Sequence, residues 1–144
     1  MSYLTARRQE EKDRRRTEIV DAAAELGLLV TLPIRAQDAR QLGWLFDIPD
    51  LPLSEVAALI RSHPHARFAI LEGIGITGSA LVTERASMPD NYWVEISRMG
   101  VFLGKEIPAL MDALGPGRLL FGTGMPFKYV DPVLLKMQHL DACE

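Results

Sequence analysis

The chain has 144 residues, 48% apolar and 24% charged, which suits one domain with a packed core and argues against a disordered one. A net charge of −3 gives no long-range pull toward nucleic acid. No apolar run approaches the ~18 residues of a membrane helix, no signal-peptide core follows the basic start MSYLTARRQEEKDRRR, and the lone Cys143 excludes an internal disulfide or a multi-cysteine metal site. These features lead us to expect a soluble, cytoplasmic protein that binds neither nucleic acid nor membrane.

Residues 5–26 have a helical pattern. Glu10 and Arg14, and Glu11 and Arg15, are opposite charges four apart. Ile19, Val20, Ala23 and Leu26 form an apolar face, and Gly27 is a natural stop. The Arg14-Arg15-Arg16 run is diluted by Glu10, Glu11, Asp13 and Glu18, so a solvated helix face is expected rather than a nucleic-acid patch.

Residues 28–34 (LLVTLPI) read as a strand buried on both faces, with Pro33 marking its end. Residues 37–46 suggest a short helix. Residues 53–62 give a firmer one, with Val56, Leu59 and Ile60 as its stripe, Pro52 in its first turn and Pro64 beyond its end.

The alternation then repeats. Residues 67–71 (RFAIL) are a strand, 76–83 a helix, 92–96 (YWVEI) a strand and 104–114 a helix that stops at Gly115. Residues 118–121 (RLLF) form the last strand. Residues 131–140 form the last helix, with Asp131 as its N-cap and Pro132 at its first position.

The fold class is therefore α/β, a single domain over residues 1–144 with four parallel strand-helix units after a long leading helix. Two architectures fit. One is an open doubly wound sheet and the other is half of an eight-stranded barrel, since a complete barrel needs ~250 residues. In both, ligands bind at the loops that follow the strands.

Those loops carry the candidate site residues. Arg35 could clamp a carboxylate, with Asp38 as orienting group or base, although Asp38 could equally cap a helix. Glu72 closes the second strand and could accept a proton or simply bond nearby backbone. Arg98 and Thr123 complete the set, with Asp38 and Glu72 in catalytic roles and Arg35, Arg98 and Thr123 binding a small anionic ligand. Glu95 lies opposite Val94 and Ile96 in the strand alternation, as an interior carboxylate or a salt-bridged one. GIGITG (73–78) is not a dinucleotide fingerprint and lacks the P-loop lysine, so its glycines read as turn formers. His63 and His65 flank Pro64 before the second strand, on the side away from the site, and read as structural or surface residues. Trp44, Trp93, Phe102 and Phe121 read as core rather than a base-stacking platform.

The run GRLLFGTGMPF (117–127) resembles the final barrel strand of the amidohydrolase superfamily, in its branch of metal-dependent hydrolases and decarboxylases of aromatic acids. NYWVEIS (91–97) resembles that family's preceding strand, and ELGLLVTLPIR and HPHARFAILEGIG are similar to its fifth and sixth. The resemblance implies the C-terminal half of a (β/α)8 barrel, truncated or divergent. Complete members use divalent metals such as zinc or manganese. Here the positions of three family ligands hold Pro33, Gly73 and Gly124, so no metal is expected and enzymatic activity is left open. The expected function is an amidohydrolase-like domain binding a small carboxylate-bearing ligand. The alternatives are a non-catalytic binding or scaffold protein, or a small phosphate-binding module. Half a barrel has two open edges, so the expected partner is a second copy forming a homodimer, or a missing N-terminal half-barrel.

Overall fold

In the computed structural model, residues 3–35, 49–99, 105–125 and 129–138 are described. The helix expected at 37–46 and the residues Asp38, Trp44 and Phe102 lie outside them.

Helix α1 (Tyr3–Glu25) leads to strand β1 (Leu29–Pro33), and Gly27, at φ 66°, makes the left-handed turn between them. There follow α2 (Leu53–Ser62), β2 (Arg67–Leu71), α3 (Ala80–Thr83), β3 (Tyr92–Glu95), α4 (Glu106–Leu114), β4 (Leu119–Leu120) and α5 (Asp131–Gln138). The four strands form one parallel sheet in the order β1-β2-β3-β4. The order contains no reversal, so these strands lack the switch point of a doubly wound sheet.

Register and burial place the core on one face. Val30, Phe68 and Tyr92 align across the sheet, as do Leu32, Ile70, Val94 and Leu119. These residues join one apolar cluster with Val20 of α1, Val56 and Ile60 of α2, Leu81 of α3, and Ile107 and Leu110 of α4. Four helices thus cover the same face. Each fully buried aliphatic side chain of this kind contributes about 1.5–3 kcal/mol.

On the other face Leu29, Thr31 and Pro33 are exposed. This corrects the reading of the first strand as buried on both faces: among the described strands β1 is an edge, and its apolar run includes residues that no described helix covers. Phe121, expected in the core, is 49% exposed, just past the end of β4. The N–H of Ile34 reaches the carbonyl of Leu71 at 3.3 Å. By strand alternation, the backbone groups of Val30, Leu32 and Ile34 then face β2, while those of Leu29, Thr31 and Pro33 face outward. Proline, which has no N–H, occupies a position where no ladder bond is lost.

Other expectations need adjusting. Of the apolar face drawn on α1, only Val20 is buried, and Ile19 and Leu26 are 69% and 73% exposed. Arg15 pairs with Glu11 as expected, but Arg14 pairs forward with Glu18 rather than back with Glu10. The helix expected at 76–83 splits into a 3₁₀ turn (Ile76–Gly78) and the short α3, because Ser79 is extended at ψ 166°. At α5, the Val130 carbonyl takes the first helical bonds, from Val133 and Leu134, so Val130 is the cap and Asp131 already lies inside.

The amino ends of the strands are tied by polar contacts. Asp90 pairs with Arg85 and, at 3.2 Å, with Arg118. Arg118 stacks 5.1 Å from the centre of the half-buried Trp93 ring. Asn91 donates to the carbonyls of His63 and Ala66 at 2.9 and 2.8 Å, and the Tyr92 hydroxyl donates to Leu81 O at 2.6 Å. His63 sits in this end with Nδ1 at 3.0 Å from Leu59 O, a structural role as expected.

Candidate functional site

At the carboxyl ends of β2 and β3 the polar side chains converge. Glu95 is 8% exposed and faces away from α1–α4, between β2 and β4. Its Oε1 accepts the Ser97 N–H at 2.6 Å. Its Oε2 accepts the Ser97 hydroxyl at 2.9 Å and the Glu72 N–H at 3.0 Å. A buried carboxylate needs such donors, since a charge without them would be costly to desolvate.

This carboxylate alters how β2 ends. A continued ladder would carry the Glu72 N–H to the Glu95 carbonyl. Instead Gly73 makes that bond at 3.3 Å and the Glu72 N–H turns to the Glu95 side chain. The cost is a left-handed backbone at Glu72, φ 57°, the one such non-glycine residue among those described. The turn brings the Glu72 carboxylate to Arg98, with Oε1 3.2 Å from Nε. Both side chains are largely buried, at 23% and 18% exposure. From α5, Lys136 Nζ donates to the Ser97 carbonyl at 2.7 Å, closing the cluster from above.

Gly122, just after β4, lies against Glu95. A Cβ there would collide with the Glu95 carboxyl and approach its Cγ to 2.6 Å. The glycine is needed for the close approach of the β4 backbone to this side chain.

Two of the expected site residues, Glu72 and Arg98, are therefore brought together. Arg35 is turned elsewhere, with its Nε 3.0 Å from Asp50 Oδ2. Thr123 uses its hydroxyl to accept the Met125 N–H at 3.2 Å, a local turn contact. Asp38 lies outside the described residues. Three residues absent from the expected site belong to it: Glu95, Ser97 and Lys136. The E-I-S spacing puts a carboxylate and a hydroxyl on one side of a strand end, a signal legible in sequence. Lys136 depends on where α5 folds back, and no local pattern reports that.

At two of the three positions matched to family ligands, the surroundings or the backbone conformation resist a side chain. A side chain at Gly73 would start 2.7 Å from Ile76 Cδ1 and 2.8 Å from Val94 Cγ1, directed into the apolar core. Gly124 has φ 71°, a conformation that disfavours any side chain. Among the described residues no three His, Cys, Asp or Glu side chains are grouped to hold an ion. Within the same residues, no helix is long and apolar enough to cross a membrane.

Comparisons with protein-family models, curated proteins and solved structures give no match to this chain.

Proposed function

We propose that this chain is an amidohydrolase-like half-barrel domain, divergent at the metal positions, that binds a small carboxylate-bearing ligand at the carboxyl ends of its strands. Two features support the half-barrel reading: the strand order has no reversal, and α1, α2, α3 and α4 gather on one face. The observation that carries the ligand reading is the Glu72–Arg98 pair beside Glu95, Ser97 and Lys136, at the end of the sheet where α/β proteins bind ligands. Glu72 is the group that an incoming carboxylate would replace on the Arg98 guanidinium, a planar partner suited to bidentate pairing. Glu95, already accepting three hydrogen bonds, serves as the anchor that fixes Glu72 and Ser97 rather than as a base.

A panel of aliphatic and aromatic mono- and dicarboxylates, screened by NMR chemical-shift perturbation, tests the reading. Shifts at Ser97, Arg98 and Lys136 that vanish in Arg98→Ala are expected. Inorganic phosphate shifting the 73–78 loop, with no response to any carboxylate, would point to the phosphate-binding module instead. Silence toward both would leave the scaffold reading in place of this one.

A further inference from the structure

A groove lies away from the strand ends, between α1 and α2 beside β1. Its volume is about 450 Å³, within the range of small-molecule sites. Its floor is apolar: Val30 and Leu32 from β1, Leu51 from the loop, and Val56 and Leu59 from α2.

The wall contributed by α1 is not a random helix face. At about 100° per residue, Arg8, Lys12, Arg15, Arg16, Ile19 and Ala23 share one arc of about 100°. All six acids of α1 (Glu10, Glu11, Asp13, Glu18, Asp21, Glu25) fall outside it. Lys12, Arg15, Arg16 and Ile19 reach the groove. Arg15 and Arg16 are held along the helix by Glu11 and Asp13. Lys12, with Arg8 one turn before it, makes no ion pair among the described residues. Glu55 supplies the one acid of the groove, on the opposite wall. Apolar surface continues past the groove mouth through Ile19, 69% exposed.

An apolar trough with cations confined to one rim matches a molecule with a tail and a negatively charged head. We infer that this groove binds a monomeric anionic amphiphile of the fatty-acid class. The acyl chain lies on Val30, Leu32, Leu51 and Leu59, and the carboxylate sits at Lys12. Burial of methylene groups supplies the affinity, and the basic rim selects the sign of the head group. The site is independent of the Glu72–Arg98 cluster and of any function assigned there.

Isothermal titration of the full chain with dodecanoate, below its micelle concentration, tests this. Saturable one-to-one binding is expected, weakened about tenfold in Lys12→Glu and in Leu59→Asp, and retained in Lys12→Arg. Circular dichroism of each variant separates lost binding from lost fold. Dodecyltrimethylammonium, with the same tail and the opposite charge, should bind at least about tenfold more weakly. The inference is overturned if the two amphiphiles bind alike, if folded Lys12→Glu and Leu59→Asp bind dodecanoate as the wild type does, or if no saturation is reached. It is equally overturned if the protein binds anionic vesicles but not the monomeric acid.

Discussion

Replacing Glu95 with Gln changes one atom and tests the account of how β2 and β3 end. Both carboxylate oxygens accept: Oε1 from the Ser97 N–H, Oε2 from the Ser97 hydroxyl and the Glu72 N–H. An amide has one acceptor oxygen. If its NH₂ takes the Oε1 place, it meets the Ser97 N–H, donor against donor. If it takes the Oε2 place, the Ser97 hydroxyl can turn and accept, but the Glu72 N–H is left without an acceptor. Either orientation strands one backbone donor, at about 1–3 kcal/mol, and the surviving bonds lose about 1 kcal/mol of charge assistance. The expected loss is about 2–4 kcal/mol, which for a chain of this length lowers Tm by about 6–15 °C. Urea denaturation followed by far-ultraviolet circular dichroism measures it. Glu95→Gln within about 0.5 kcal/mol of wild type would show that the carboxylate does not hold these donors, and the explanation of the Glu72 turn would fall with it.

Gly122→Ala should cost about 1–3 kcal/mol by overpacking against Glu95, and that cost should shrink when Glu95 is also Ala, a coupling measurable in a double-mutant cycle. Arg85, by hydrogen bond and by charge, holds the Asp90 carboxyl below the usual aspartate value, with a smaller contribution from Arg118. The stabilisation it gives is therefore present above the usual aspartate pKa and lost as pH falls through the depressed one. Asp90→Asn should accordingly melt below wild type near neutral pH and converge with it in strong acid; a gap independent of pH would contradict the ion pair. Because β1 is an edge of the described sheet, sedimentation at tens of micromolar is expected to show self-association, and a compact monomer without dye-accessible apolar surface would count against the half-barrel reading.

Much of the fold was legible because local signals agreed. The apolar stripe between Pro52 and Pro64 located α2, and RFAIL located β2, both with the bounds observed. The weaker readings failed where the deciding contact is distant in sequence. LLVTLPI looks doubly buried because nothing local reveals that β1 ends the described sheet and that α1–α4 all pack on its other face. Ile19 and Leu26 look like core residues because periodicity identifies a face without showing what covers it. At the site, Glu72 and Arg98 stand out in the sequence as polar residues after strands. Their pairing depends on a left-handed turn held by Glu95 from the neighbouring strand, a contact between residues 23 apart.

The proline at the end of β1 sets a limit on anything that joins the sheet there. The outward side of that strand presents N–H groups at Leu29 and Thr31 but none at Pro33. An added strand, whether from a barrel's other half, a second copy or a growing fibril, can zip along the amino-terminal portion and must then part from β1 at Pro33. The seam would stay ajar at its carboxyl end, on the same rim that holds Glu72, Arg98 and Lys136. Closing the sheet on this side would therefore leave that rim a way in.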